Sequence, residues 1–261
     1  MDLTHEATEK GVTESRFELK VGDESVPGLL WAPENATGPR PLVLIGHGGT
    51  QHKRTPNVLS LARRFVRHLG YAAVAIDAPY HGERMPPEER QLSQEERWRR
   101  VRSMTPEQRE KRLARNRPAV AEWKATLDAV HALDSVGGGP VGYWGVSMGT
   151  AIGLPFVSSE PRVGCAVLGL AGLRGDRPGA ERFEAAARSL KIPVLFVLQS
   201  DDEVVDRDSG LALFDALGSE EKTMHLSPGP HVGIPLYERD DYEMFYSRHM
   251  GNHVGSGKAA A

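Results

Sequence analysis

The pentapeptide Gly145-Val146-Ser147-Met148-Gly149 constrains the fold of this chain more than any other segment. A short apolar run, 140–145, leads into it, and a helical pattern of small residues follows Ser147. A serine on so tight a strand-to-helix turn must adopt strained backbone angles, and glycine two residues before and after lets neighbouring chain pass without a clash at Cβ. The pattern therefore predicts a nucleophilic Ser147 at a helix N-terminus, where free N–H groups favour negative charge.

Short apolar runs alternate with helical patterns along most of the remaining chain, which predicts a parallel sheet covered by helices on both faces. The predicted strands are 15–21, 24–31, 41–46, 71–77, 140–145, 163–170, 192–199 and 222–226, and the predicted helices are 57–69, 118–133, 180–190, 207–217 and 240–249. We therefore expect an α/β fold, with a mostly parallel sheet of the eight-stranded type, in a single domain over residues 1–254. A disordered tail is expected at 255–261.

Residues 80–117 interrupt this alternation. They contain ten arginines, one lysine and seven glutamates, with few apolar residues. Spacings such as Glu95 to Arg99 favour exposed helices. The segment is interpreted either as a solvated helical excursion or as a lid over an active site. Nucleic-acid binding is not favoured, because glutamates interrupt the basic residues throughout.

Composition and charge exclude several classes of protein. The 261 residues are 39% hydrophobic and 26% charged, with a formal net charge of −3, which favours neither a nucleic acid nor a membrane surface as partner. Cys165 is the single cysteine, so an intrachain disulfide is impossible, and its apolar surroundings predict a buried thiol. The first residues lack the apolar core of a signal peptide, and no apolar stretch approaches membrane-spanning length. We therefore expect a cytoplasmic protein; nothing in the sequence indicates its oligomeric state.

A serine hydroxyl needs a base to take its proton, usually a histidine oriented by a carboxylate, and in this type of fold the chain order is Ser, Asp or Glu, then His. His225 lies inside the predicted strand 222–226, where it faces solvent or packs. His231 lies in a turn-rich loop after that strand and is free to reach Ser147, so it is the predicted base. His249 and His253, in a terminal helix and tail, are not favoured.

The carboxylate is expected at the carboxyl end of a strand, where open α/β sheets place their sites. The predicted strand 192–199 runs directly into Ser200, Asp201 and Asp202. Asp202 is the leading candidate and Asp201 its competitor, and the one that is not used is expected to stabilise a turn. Asp206 is expected to cap the helix at 207–217.

An oxyanion hole needs N–H donors fixed where negative charge develops. The first predicted donor is the backbone N–H of Met148, at the start of the helix after the nucleophile. The second should come from the glycine-rich loop 46–50, with Gly49 favoured and Thr50 next. His47 precedes Ser147, against the expected chain order, and is interpreted as bracing this loop.

Taken together, His47-Gly-Gly, the Ser147 pentapeptide, Asp202 after a strand and the Pro-His231-Val-Gly loop resemble the α/β-hydrolase superfamily. Within it the chain is similar to the dienelactone-hydrolase-like and acyl-peptidase-like esterases, over about residues 15–250. The resemblance implies that the segment around Asp77 shapes the pocket without joining the triad. The serine nucleophile departs from the cysteine of true dienelactone hydrolases, which argues against that activity.

These features predict a serine carboxylesterase that acts on small-molecule esters through an acyl-enzyme, without a metal or cofactor. A thioesterase or amidase would use the same residues; an acyltransferase or lyase, and a non-catalytic binding module of the same fold, are less favoured alternatives. Tyr80 and Arg84 are candidate substrate contacts, since arginine can bind a substrate carboxylate through two hydrogen bonds. The alternative for Arg84 is a salt bridge with one of the many glutamates.

Overall fold

In a computed structural model, residues 1–175 and 179–251 are described, and they form a nine-stranded sheet with helices on both faces. The order of the strands across the sheet is β1-β2-β3-β5-β4-β6-β7-β8-β9. The strands are β1 Leu3–Glu9, β2 Val12–Val21, β3 Glu24–Pro33, β4 Leu42–Gly46, β5 Ala72–Ile76, β6 Val141–Val146, β7 Val163–Gly169, β8 Val194–Gln199 and β9 Lys222–Ser227.

The sheet divides into an antiparallel margin and a parallel body. β1, β2, β3 and β5 pair antiparallel, and β2 and β3 form the predicted hairpin with Val21 opposite Glu24. From β5 through β4 to β9 all pairs are parallel. All eight predicted strands are present. β1 is an addition that was not expected, and each of its residues is exposed.

The helices cover the two faces in separate groups. One apolar core holds side chains of α5 to α8, and the other holds side chains of α1 and α9. The helices are α1 Pro56–Leu69, α2 Pro87–Arg90, α3 Gln94–Ser103, α4 Pro106–Arg115, α5 Ala119–His131, α6 Met148–Val157, α7 Ala180–Ser189, α8 Arg207–Ala216 and α9 Glu238–Met250. The predicted α/β fold is confirmed, and α2, α3 and α4 make segment 80–117 helical, as expected. The tail at 255–261 lies outside the described residues.

Helix α1 illustrates how local sequence fixes an element. Pro56 stands in its first turn, where the missing N–H costs no hydrogen bond. Leu61 and Phe65, four residues apart, are buried on the face that packs against the sheet. Gly70 then ends the helix with a left-handed φ of 71°.

Across residues 1–175 and 179–251, no helix combines the length and apolarity needed to cross a bilayer. Cys165 is fully buried in β7, and this burial raises the pKa of its thiol to about 12. The thiol is thus the buried structural cysteine that its apolar surroundings predicted.

Candidate active site

Ser147 occupies a strained turn between β6 and α6. Its φ of 58° and ψ of −118° are rare for a residue with a side chain. A Cβ on Gly149 would come within 2.7 Å of the Gly46 carbonyl oxygen, and one on Gly145 within 2.8 Å of the Gly149 carbonyl oxygen. Both glycines of the pentapeptide are therefore required by close backbone approach, as the sequence predicted.

The buried hydroxyl groups of Thr150 and Tyr143 form hydrogen bonds with the backbone around this turn. The Thr150 hydroxyl lies 2.8 Å from the Gly145 carbonyl oxygen and accepts a hydrogen bond from the Gly169 N–H at 2.8 Å. The Tyr143 hydroxyl donates to the Gly149 carbonyl oxygen at 2.7 Å. These contacts hold the backbone on both sides of Ser147, so its strained angles are imposed by the surrounding structure.

Three loops at the carboxyl ends of parallel strands bring a serine, a histidine and an aspartate together. Ser147 follows β6, Asp202 follows β8 and His231 follows β9. Nε2 of His231 lies 2.9 Å from the Ser147 hydroxyl oxygen, and its Nδ1 lies 2.7 Å from an Asp202 carboxylate oxygen. The His231 backbone N–H donates to Glu203 at 3.0 Å, which fixes the loop that carries the ring.

Asp202 is held as an oriented carboxylate. Its second oxygen accepts the backbone N–H groups of Val204 and Val205 at 2.8 and 2.9 Å. Burial alone would raise the pKa of Asp202, but the hydrogen bonds from His231 and these two N–H groups outweigh it and hold the pKa below its usual value. The group next to His231 is therefore anionic at neutral pH.

The neighbouring aspartates have other partners. Asp201 is exposed and accepts the Gly229 N–H at 3.0 Å, which closes a turn between the loops after β8 and β9. Asp206 caps α8 by accepting the Ser209 N–H at 2.9 Å, as predicted. Neither aspartate contacts the His231 ring.

The other downstream histidines lie elsewhere. His225, in β9, is hydrogen-bonded to the buried Glu238 at 2.9 Å. His225, Glu238 and Asp241 each have one potential ligand atom within 4.8 Å of the others. Within the described residues, this is the group that could hold a metal ion. His249, in α9, lies 3.4 Å from Glu221, and His253 falls outside the described residues.

The two predicted oxyanion donors lie side by side. A Cβ on Gly49 would stand 3.9 Å from the Cβ of Met148. Within the described chain, neither of the two backbone N–H groups has a hydrogen-bond acceptor. Thr50 follows with a positive φ of 70°, so the loop turns sharply at this point. The positions suit a shared binding site for a single oxygen.

His47 braces the loop that carries Gly49. Its ring is buried; it donates from Nδ1 to the Gly48 carbonyl oxygen at 2.9 Å and accepts the Ala78 N–H at Nε2. Burial lowers the pKa of His47, which keeps the ring neutral, and the hydrogen bond from the Ala78 N–H to Nε2 places the proton on Nδ1. This placement agrees with the bracing role expected from the sequence.

A buried ion network joins the same loop to the segment after β5, and sequence reasoning missed its central residue, Lys53. The Lys53 ammonium is 2.6 Å from Asp77 and 2.5 Å from Glu83, and its side chain is only 2% exposed. Asp77 also accepts the backbone N–H groups of Lys53 and Glu83, both at 2.9 Å. Because lysine is rarely buried without a partner, this network ties the loop to the start of the charged segment.

Arg84 is engaged by protein carboxylates. Its two terminal nitrogens donate to the buried Glu122, each at 2.8 Å, and one also lies 3.3 Å from Glu24. This is the glutamate salt bridge given above as the alternative to a substrate contact. Tyr80 is 45% exposed, with the Arg115 guanidinium 4.7 Å from its ring centroid. Tyr80 and Arg84 line a cavity of about 290 Å³ whose lining includes no member of the Ser147, His231 and Asp202 group.

Trp98 of α3 packs against the ring of His231. Its ring centroid is 6.1 Å from that of His231, and the rings are nearly perpendicular at 81°. Segment 80–117 therefore reaches back over the carboxyl ends of the strands. Trp98 was not identified from the sequence, although it is the only tryptophan among residues 80–117 and stands in a segment with few other apolar groups.

The chain resembles solved structures over almost its whole length. A cold-adapted esterase from an Arctic intertidal metagenomic library is 33% identical, with a TM-score of 0.76, covering 96% of this chain and all of that one. An acetyl xylan esterase from Paenibacillus sp. R4 is 16% identical, with a TM-score of 0.71 over 95% of this chain and 87% of that one. An esterase from Pyrococcus furiosus is 16% identical, with a TM-score of 0.67 over 91% and 93%. The last two similarities concern the fold alone. No family model and no curated protein matches the chain.

Proposed function

Since the chain belongs to the esterases of the α/β-hydrolase fold, we propose that it hydrolyses small-molecule carboxylic esters through an acyl-enzyme formed on Ser147. The observation that carries this proposal is the continuous chain of contacts from Ser147 through His231 to Asp202, at 2.9 and 2.7 Å. The similarity of the His47-Gly-Gly and Pro-His231-Val-Gly loops to dienelactone-hydrolase-like esterases supports placement near that group. The single buried cysteine supports a cytoplasmic location.

In the acylation step, the Ser147 hydroxyl oxygen attacks the ester carbonyl carbon while its proton passes to Nε2 of His231. The carbonyl electron pair moves onto oxygen, and the Met148 and Gly49 N–H groups stabilise the resulting charge. The carbonyl then re-forms, the bond to the alcohol breaks, and His231 returns the proton to the departing alkoxide. Asp202 holds the imidazole in the required tautomer and stabilises its cationic form.

In the deacylation step, a water molecule attacks the acyl carbon and gives a proton to His231. The same two N–H groups bind the second oxyanion. The ester bond to Ser147 breaks, His231 protonates the serine oxygen, and the carboxylic acid leaves. Every proton taken up is returned within the cycle, so no further reactant besides water is needed.

The decisive experiment replaces the nucleophile. Ser147→Ala should abolish hydrolysis of p-nitrophenyl acetate and labelling by a fluorophosphonate probe, while circular dichroism and thermal unfolding stay as in the wild type. Ser159→Ala, which changes an exposed serine at the other end of α6, is the matched control and should retain both activities. A folded Ser147→Ala protein that still turns over the ester would exclude this mechanism.

Relative turnover then separates ester hydrolysis from its alternatives. The acetyl group can be presented as an ester, a thioester and an amide with comparable leaving groups. We expect the highest kcat/KM for the ester. A thioester or amide preference would assign the same residues to a thioesterase or an amidase.

A further inference from the structure

We propose that helix α3 forms an acid-recognising wall of the active site, with Trp98 covering His231 and Arg97 binding a carboxylate on the alcohol portion of the ester. The inference rests on the proposed function, since it concerns the substrate of the same site. Its starting point is the contact between Trp98 and His231.

Helix α3 has the structure of an element that lies on a surface. Ser93 caps its N-terminus in a reciprocal arrangement with Glu96, which satisfies two otherwise free N–H groups. Arg97, Trp98, Val101 and Met104 are half-buried, and the glutamates and the other arginines of the helix are exposed. The half-buried residues form one face at helical spacing, and Trp98 on that face contacts the His231 ring.

The position of Trp98 identifies the side of the substrate that α3 contacts. His231 gives its proton to the departing alcohol, so groups packed against the imidazole border the alcohol portion of the substrate. His231 itself is only 2% exposed under this cover. A planar aromatic wall at this point suits an aromatic or extended alcohol.

Arg97 precedes Trp98 in α3, and its guanidinium group is not paired with a carboxylate among the described residues. One terminal nitrogen donates to the Leu92 carbonyl oxygen at 2.5 Å, and Nε is excluded from solvent without a hydrogen-bond partner. Arg97 forms no ion pair with any residue in the described parts of the chain. The guanidinium lies close enough to His52, near the glycine-rich loop, to contribute to lowering the pKa of that histidine, although burial is the larger cause.

Helix α4 contributes a second cation. Arg112 is half-buried, and burial lowers its pKa. It makes no ion pair with the described residues, and its charge is close enough to His81 to contribute to lowering the pKa of that buried histidine. By contrast, Arg99 is exposed on α3 and lies 3.4 Å from Glu95. Arg97 and Arg112 thus combine partial burial with the lack of an ion-pair partner among the described residues.

The net charge of the segment agrees with this arrangement. Residues 80–117 carry a surplus of four positive charges in a chain whose formal net charge is −3. A positively charged segment beside the active site of an otherwise acidic protein attracts anions towards that site. Arginine binds carboxylates through paired, charge-assisted hydrogen bonds, which satisfies the donor that Arg97 now leaves unused.

The test uses two acetyl esters that differ only in charge, 4-acetoxybenzoate and 4-acetoxybenzamide. The wild type should prefer the benzoate in kcat/KM, and this preference should shrink as ionic strength rises. Arg97→Gln should lower the benzoate-to-benzamide ratio by about tenfold or more, mainly through KM, as expected for loss of a charge-assisted hydrogen bond. Arg97→Lys should recover part of the ratio.

Arg99→Gln is the matched control on the same helix and should leave the ratio unchanged. If Arg97→Gln is poorly folded, Arg112→Gln provides the second measurement, with a smaller loss expected in the same direction. Hydrolysis of the benzamide by all variants would support the esterase mechanism by itself. An unchanged ratio in folded Arg97→Gln and Arg112→Gln proteins would overturn the acid-recognising wall while leaving that mechanism in place.

Discussion

The Ser147 turn and segment 80–117 both contact His231, the segment through Trp98, but they are built in opposite ways. The turn lies in the parallel sheet, where buried hydroxyl groups and close backbone contacts fix each residue around the serine. The segment is anchored at its base by ion pairs, through Glu83 with the buried Lys53 and through Arg84 with the buried Glu122. Beyond that base, α3 and α4 lie on the surface with half-buried and exposed side chains. The proposed bond-breaking chemistry thus lies in the tightly fixed turn, and the proposed substrate selection lies in a segment that can vary without disturbing the sheet.

Asp202→Asn should have the largest effect. An amide in this position favours the wrong imidazole tautomer, and we expect kcat to fall by about four orders of magnitude with little change in stability. Steady-state hydrolysis of p-nitrophenyl acetate measures this. Asp201→Asn, in the adjacent residue that binds Gly229, should retain most of the activity. Equal losses in the two variants would contradict the assignment of Asp202.

Gly149→Ala tests the rigidity of the turn. The new methyl group would meet the Gly46 carbonyl oxygen at 2.7 Å, so backbone must move, and we expect a loss of about 3 kcal/mol in the free energy of unfolding. Urea unfolding provides the measurement. Gly164→Ala in β7 is the control, because its methyl group meets its nearest neighbour only at 3.8 Å. Equal stability of the two variants would show that the turn tolerates movement.

Glu83→Gln tests the anchor of the charged segment. Burial raises the pKa of Glu83, but hydrogen bonds from Lys53 and Arg16 more than offset this and bring it to about 2. Because this is below the ordinary value of 4.5, the ionised group adds stability that is complete above about pH 4.5 and is lost as the pH falls towards 2.

The variant should therefore have a lower Tm than the wild type at neutral pH, and the gap should close between about pH 4.5 and pH 2. The expected gap is smaller than that of Gly149→Ala, since the Glu83 side chain is 46% exposed and partly screened by solvent. Glu88→Gln, in an exposed residue of the same segment, should show no gap at any pH. A Tm difference that persists at about pH 2 would show that it arises from packing and not from the charge of Glu83.

Trp98→Ala should have the smallest effect on stability. Its edge-on ring contact with His231 contributes about 1 kcal/mol or less, and the side chain is only half-buried. Thermal unfolding should therefore change little, in contrast to Gly149→Ala. If Trp98→Ala lowers stability as much as Gly149→Ala, segment 80–117 contributes to stability as strongly as the Ser147 turn, and the contrast between the two regions is wrong.

The same division explains which features could be predicted from the sequence. The parallel body was predictable because strands buried on both faces are continuous apolar runs, as in β4 and β5. The order of Ser147, Asp202 and His231 followed from the fold, since each lies in the loop after a strand. β1 was not predictable: its seven residues are exposed and mostly polar, so no hydrophobic alternation marks it.

Other features depend on tertiary contacts that leave no local pattern. Asp201 and Asp202 are adjacent in a single loop, and only the direction of each side chain decides which one reaches His231. Lys53 lies in a polar stretch where an exposed lysine is the ordinary expectation. Trp98 marks a contact with an element that is 133 positions further along the chain, and helical periodicity alone does not indicate which surface the helix covers.

The separation of the site residues along the chain has a consequence for refolding. Ser147 and His231 are 84 residues apart, and His231 follows β9, the last strand of the chain, which lies at the edge of the sheet. A chain that has formed β6 and α6 therefore possesses the proposed nucleophile but lacks the proposed base. The recovery of ester turnover after dilution from denaturant should thus follow the docking of β8 and β9, and should lag behind the return of helical circular dichroism. The rate at which ester turnover recovers therefore reports the final stage of folding.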